Sequence, residues 1–175
     1  MSIKDFFRKK AVRQCQNVPT GMLPLSRIST AVAFIDVEDT SFDECKLALM
    51  SFFRAHGIKG EIFFFDFRKI ISGERLITSI TNTILRKDLN WYGRPSAEKL
   101  ALLDGLQGTD MLISLLPYGS FPAEFAARYC RASFKIGRVR LPGSVFDLVV
   151  ADSAGKTMSE AESFQAIKNI LDKIQ

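Results

Sequence analysis

The sequence predicts an α/β domain built on one mainly parallel sheet, and three observations carry that expectation. Short, unbroken apolar runs recur along the chain, as in Thr30–Asp36 (TAVAFID) and Asp110–Leu116 (DMLISLL), the pattern of strands buried on both faces. Between them lie segments with apolar residues at three- and four-residue spacing, which mark amphipathic helices. The chain has 175 residues, 47% of them hydrophobic, which is the size and apolar content of one globular domain.

Met1–Gln14 reads as a short amphipathic helix with Ile3, Phe6 and Phe7 on one face and Ala11 following, while Lys4, Arg8, Lys9, Lys10 and Arg13 cover the rest. Cys15–Arg27 contains Pro19, Gly21 and Pro24 and reads as a linker. Residues 1–27 are therefore expected to form a basic helix and linker, and residues 28–175 the α/β domain. Thr30–Asp36 is the first strand. Ser41 and Glu44 have capping-box spacing for a helix carrying Phe42, Cys45, Leu49, Phe52 and Phe53, which closes at Gly57. Glu61–Phe67 (EIFFFDF) is the second strand, completing a βαβ unit.

Ile70–Thr81 fits a short helix or a loop, Asn82–Arg86 a third strand, and Lys87–Pro95 (KDLNWYGRP) a polar and aromatic loop. Ser96 caps a helix to about Leu106. Asp110–Leu116 is a strand, Pro117–Ser120 a turn, and Phe121–Arg131 a helix with Phe125, Ala126 and Tyr129 facing inward. Phe134–Arg138 and Phe146–Ala151 are strands, and Ser159–Ile174 is a closing helix with Phe164, Ile167, Ile170, Leu171 and Ile174 on one stripe. Only Val139–Val145 separate the last two strands, fewer than the dozen or so residues of an ordinary parallel crossover. Those two strands are therefore expected to pair antiparallel or to be non-adjacent. The whole amounts to a single Rossmann-like, mainly parallel sheet of about six strands with helices on both faces, preceded by an N-terminal amphipathic helix.

Charge and composition narrow the function classes. The formal net charge is +5, from 24 Lys and Arg against 19 Asp and Glu, but the basic residues are scattered and predict no specific nucleic-acid partner. Fifteen phenylalanines are numerous and fall in strands and on helix faces, where core packing explains them. Cys15, Cys45 and Cys130 match no metal spacing and read as reduced structural thiols. The one histidine, His56, falls in the last turn before Gly57, a place that suits an imidazole facing the helix dipole. No apolar stretch near the N-terminus is long enough for a signal peptide, and none elsewhere for a membrane span, so a cytoplasmic location is expected.

Two stretches carry a resemblance. One is LSRISTAVAFIDVED (Leu25–Asp39) with its following helix and EIFFFDF; the other comprises KDLNWYGRP, DMLISLL, FPAEFAARYCRASFKIGR (Phe121–Arg138) and FDLVVAD (Phe146–Asp152). Together they resemble an uncharacterised bacterial domain-of-unknown-function family of Bacteroides-type organisms, which implies a shared single-domain architecture and brings no activity with it. The segment from Asp110 through Ala126, Arg128, Ala132 and Lys135–Gly137 is also similar to the N-terminal domain of heptosyltransferase-like glycosyltransferases. In those enzymes the strand ends in aspartate and continues Leu-Gln-Gly, whereas Ser114, Leu115, Leu116 and Pro117 stand here. The chain is also short for the second domain of such enzymes. That similarity implies a Rossmann-like sheet and argues against transferase activity by this chain alone.

The candidate chemistry is sparse. No GxGxxG follows the first strand, whose loop carries Asp36, Glu38 and Asp39 and would repel a pyrophosphate. No Walker loop or GxSxG elbow is present, and no cofactor is expected. Ligands of open α/β sheets bind beyond the carboxyl ends of the strands. Those ends, with the following loops, supply the candidate ligand-binding residues Asp36, Asp39, Asp66, Asn90, Trp91, Arg94 and Tyr118. The carboxylates suit Mg²⁺ in principle, but Asp36 and Asp39 equally suit solvation of a helix start, and no metal site is assigned. Trp91, the only tryptophan, can stack a ligand or a partner, or fold back to plug the core; the plug is the plainer reading. Three functions remain open: a non-catalytic module binding a protein partner or its own copy, a small enzyme or sugar-phosphate or nucleotide binder at the sheet edge, and a peripheral membrane protein making weak contact through Ile3, Phe6 and Phe7.

Overall fold

A computed structural model describes residues 1–15, 18–69, 78–79, 81–104 and 108–174. The elements run α1 (Ile3–Arg13), β1 (Thr30–Asp36), α2 (Phe42–Ala55), β2 (Lys59–Asp66), β3 (Thr83–Leu85), α3 (Ala97–Asp104), β4 (Met111–Ser114), α4 (Phe121–Tyr129), β5 (Phe134–Gly137), β6 (Leu148–Val149) and α5 (Glu160–Leu171). Most of the expected Ile70–Thr81 segment, and Leu106 at the end of the third expected helix, lie outside the described residues.

The strands form one six-stranded sheet in the order β3-β2-β1-β4-β5-β6, with every neighbouring pair parallel. The chain starts in the middle at β1, builds outward to β3, then returns to place β4 on the other side of β1. The strand order therefore reverses between β1 and β4, the position at which Rossmann-like sheets open a crevice. Alternate residues of the central strands enter two apolar layers. Ala31, Ala33, Ile35, Phe64, Met111, Ile113 and Ile136 pack with α2 and α5. Val32, Phe34, Phe63, Phe65, Ile84 and Leu112 pack with residues of α1, α3 and α4 on the opposite face. Both faces are covered, which is why the strands read as continuous apolar runs.

Helix α2 buries Phe42, Cys45, Leu49, Phe52 and Phe53, the stripe its spacing predicts, and Phe52 meets Phe164 of α5 edge-on at 5.5 Å. It closes at Gly57, whose φ of +64° suits a residue without a Cβ. The expected Ser41–Glu44 capping box is absent. Ser41 Oγ instead donates to Asp39 and accepts from the Ala161 N–H of α5, so it joins two helix starts rather than capping one. Ser96 does accept from the Lys99 N–H at 3.3 Å, as expected of a cap.

The expectation for the last two strands is overturned. β5 and β6 are adjacent and parallel, pairing Ile136 with Leu148 and Gly137 with Val149. The strand boundary explains the difference: β6 begins at Leu148 rather than Phe146, which lengthens the connection to Arg138–Asp147. Strands of four and two residues need a return of only about 13 Å at roughly 3.3 Å per residue, so ten residues suffice without a helix. Leu141, Val145 and Phe146 of this connection are buried on the sheet where a helix would otherwise lie. Gly137 permits that cover, because a Cβ there would stand 2.2 Å from the Phe146 ring.

The segment before β1 runs past the opposite edge of the sheet. Gly21 N–H donates to the Ser133 carbonyl at 2.9 Å and Thr20 Oγ donates to Asp147 at 2.7 Å, tying it to the starts of β5 and β6.

Candidate functional site

Two regions gather the chemistry-bearing side chains. The first is the carboxyl edge of the sheet around the β1–β4 switch. Asp36 ends β1, is buried, and accepts from the Glu38 N–H at 2.9 Å. Burial raises its pKa, and the carboxylates of Glu38, Asp39 and Asp66 push the same way. Asp39 accepts from the N–H and hydroxyl of Ser41 at 2.8 and 2.7 Å, and from the Glu160 N–H at 3.2 Å. One carboxylate thus fixes the starts of α2 and α5 together. Asp66 is buried and held by a two-pronged pair with Arg68 at 2.9 and 2.7 Å, which lowers its pKa. Tyr118 is half-buried in the turn after β4 with its ring 6.5 Å from that of Phe67. Burial, with Asp36 and Glu160 next in effect, holds its phenol protonated far above the ordinary range.

Two residues that sequence reasoning missed complete this edge. Glu160, the first residue of α5, is fully buried, and its Oε1 accepts from the Asp36 N–H at 2.5 Å. Burial pushes its pKa up to about 9, so near neutrality it is an uncharged acid. Its Oε2 and the buried Ser163 hydroxyl have no hydrogen-bond partner among the described residues. The available signal was spacing: Glu160 continues the stripe of Phe164, Ile167 and Leu171 at positions i, i+4, i+7 and i+11. Arg138, just past β5, is also almost fully buried. Its guanidinium takes both oxygens of Asp152 at 3.1 and 3.2 Å and donates to the carbonyls of Leu115 and Met158. Among the described residues, no group of three or more His, Cys, Asp or Glu side chains is placed to hold a metal ion. The edge is a set of fastenings between β1, β5 and α5.

The second region lies where α1 meets the Lys87–Pro95 loop, and it takes up Asn90, Trp91 and Arg94. Asn90 Oδ1 accepts from the N–H groups of Tyr92 and Arg94 at 3.2 and 2.9 Å, and Gly93 N–H returns to the Asn90 carbonyl at 2.9 Å. With Gly93 at φ +94°, these bonds form a tight turn that carries Trp91 at its tip. Trp91 is 60% exposed, so the core-plug reading fails. Tyr92 takes the inner position instead, 6.3 Å from Phe121, while the Arg94 guanidinium lies 5.3 Å from the Phe125 ring centre.

Helix α1 is started by a reciprocal Ser2–Asp5 capping box and docks through Arg8, Ala11, Val12 and Cys15, a stripe of spacing i, i+3, i+4 and i+7. Of Ile3, Phe6 and Phe7, the face read from the sequence as apolar, Ile3 and Phe6 point largely to solvent, while Phe7 is turned partly onto the domain. Arg8 is the residue that fixes the helix. Its Nε donates to the Tyr92 carbonyl at 2.8 Å, and its guanidinium stands 4.9 Å from the Phe121 ring centre. Phe7 then meets Trp91 edge-on at 5.2 Å and stacks on Tyr92 at 5.9 Å, and Phe6 meets Phe7 at 5.7 Å. The outcome is an aromatic ridge of Phe6, Phe7 and Trp91. Beside it a groove of about 650 Å³ runs between α1 and α4, lined by Asp5, Lys9, Arg13, Phe121 and Glu124 among others.

A six-stranded parallel sheet with this order, carrying helices on both faces and an N-terminal helix, defines an α/β protein of Rossmann-like architecture. The chain belongs to the family of unknown function DUF6913, whose model matches residues 1–173. No curated protein and no solved structure matches it, and neither comparison adds support to the similarity with heptosyltransferases.

Proposed function

We propose that this chain is a cytoplasmic binding module that acts without turnover, and that its recognition surface is the ridge of Phe6, Phe7 and Trp91. The observation that carries this is the combination of fixed geometry and exposure at Trp91. Its turn is pinned by two hydrogen bonds to Asn90 Oδ1, and its ring is braced by Phe7, yet most of its surface faces solvent. Rigid, exposed aromatic anchors lose little conformational freedom on binding and dominate many recognition surfaces. The ridge also unites two segments, α1 and the Trp91 loop, that lie far apart in sequence.

The edge-binding alternative draws less support. The crevice expected at the β1–β4 switch is crossed by the start of α5, whose Glu160 takes the Asp36 N–H. Asp66, Arg138 and Asp39 are likewise engaged with protein partners.

A photo-crosslinking residue at Phe6, compared with the same residue at the exposed Leu47 on the opposite layer, tests the proposal in cells. Reproducible adducts at Phe6, of any chemical class, that vanish with Trp91→Ser are expected. Identical adduct patterns at the two positions would overturn it.

A further inference from the structure

We infer that the occupant of this ridge is an anionic lipid surface, with Ile3, Phe6, Phe7 and Trp91 entering the interface and Lys4, Lys9, Lys10 and Arg13 holding the headgroups. The inference rests on the binding-module reading and names its partner. Charge complementarity is the first argument. Helix α1 has Lys4, Arg8, Lys9, Lys10 and Arg13 against the single carboxylate of Asp5, so this one helix holds four of the chain's five net positive charges. Arg8 is engaged in docking. The other four cations are largely exposed, and among the described residues none forms an ion pair with a carboxylate.

The second argument is the arrangement of apolar and basic groups. Ile3, Phe6, Lys10 and Arg13 follow one another at three- and four-residue intervals, so rings and cations share one open stripe of α1. Ile3 is 74% exposed and Phe6 53%, values suited to side chains that stand out from a surface rather than line a cleft. An interfacial helix buries such residues among acyl chains while long basic side chains reach the headgroups. An acidic protein partner would need a pocket shaped for these rings, whereas acyl chains take them without one.

A third argument concerns strength. A helix of 11 residues alone gives weak attachment. Here the Trp91 turn supplies a second insertion point from another segment, in ring contact with Phe7 of α1. Indole rings favour the boundary between headgroups and hydrocarbon. Docking of α1 through Arg8, Ala11 and Val12 also keeps the stripe outward without unfolding any part of the domain.

The test uses the full chain with vesicles of phosphatidylcholine alone or mixed with phosphatidylserine. Trp91, the only tryptophan, reports directly through its emission. Expected are a blue shift and co-sedimentation with the serine-lipid vesicles, quenching of Trp91 by bromine-labelled acyl chains, and a fall in binding of about tenfold or more when salt is raised severalfold. Lys10→Glu with Arg13→Glu should abolish the shift, while Lys10→Arg keeps it, all with unchanged melting temperature. Equal binding to both vesicle types, or sedimentation without a Trp91 shift, would overturn the inference. Crosslinks from Phe6 to protein only, with no vesicle binding, would overturn the lipid assignment and leave the binding module standing. Loss of both results removes the two readings together.

Discussion

The carboxyl edge of the sheet and the α1–Trp91 ridge differ in where their unusual residues direct their chemistry. At the edge, charged and polar side chains turn inward and are engaged with one another: Asp39 with Ser41 and Glu160, Arg138 with Asp152, Asp66 with Arg68. At the ridge, backbone and polar groups are satisfied locally while rings are left facing outward. A cluster of ionisable residues at the expected ligand position is thus here a structural joint. A set of hydrophobic residues on an apparently ordinary N-terminal helix is the better candidate for recognition.

That contrast can be broken by substitutions that separate stability from binding. The largest effect is expected at Glu160. Its carboxyl titrates near 4.5 when unfolded and about 9 when folded, so between those values the folded state holds a proton that the unfolded state has released. The Glu160 contribution to stability is full below about pH 4.5 and is lost as pH rises toward 9, by as much as about 1.4 kcal/mol per pH unit, whereas the paired Asp66 loses its contribution only at acid pH. The buried Asp36 carboxyl contributes in the same direction as Glu160. Denaturant titrations from pH 5 to 8 measure that slope, and Glu160→Gln should flatten most of it. A wild-type stability independent of pH would show that Glu160 is charged in the fold.

Arg138→Met should cost about 3 kcal/mol by thermal or urea unfolding, because it strips Asp152 and two carbonyls of their donor. Partial exposure of Asp152 keeps the figure at the low end of buried-pair losses. Asp39→Ala should cost about 1–2 kcal/mol, since it removes an acceptor at two helix starts, and calorimetry can measure it. Smallest in stability is Phe6→Ser, within about 0.5 kcal/mol of wild type, yet it should weaken binding at the ridge most. If Phe6→Ser instead destabilised the fold like Asp39→Ala, the distinction between joint and ridge would fall.

Much of the fold is legible from the sequence because burial on both faces leaves a simple record. TAVAFID is apolar at almost every position because helices cover both faces of its strand, and the α2 stripe follows directly from helical period. The parallel pairing of β5 and β6 is not legible, because it depends on where a two-residue strand begins within FDLVVA. Shifting that start from Phe146 to Leu148 changes which topologies the connection permits. Glu160 escapes because an acid in the first turn of a helix is ordinarily a solvated dipole partner. Its burial becomes visible only when the apolar stripe is extended backward through it.

The ridge is half legible. The sequence marks Trp91 and Phe7 as separate candidates, but their contact is tertiary, and nothing in either local pattern brings residues 7 and 91 together. The decisive residue is Arg8, which resembles its basic neighbours in sequence and differs from them only in being turned onto Tyr92 and Phe121. It rotates the helix so that Ala11 is inside and Phe6 outside.

The path of the chain after α1 has a mechanical consequence. Before β1 it is pinned at the amino edge of the sheet, by Thr20 to Asp147 and by Gly21 to Ser133. Once the docking of α1 through Arg8 and Ala11 gives way, a pull along this segment meets the margin of the sheet, where β6 is paired through only two residues, before it meets the seven-residue β1 at its centre. Load that peels this margin leaves the central strands and α2 engaged, so the two hydrogen bonds of Thr20 and Gly21 shield β1 from tension that arrives from its N-terminal side.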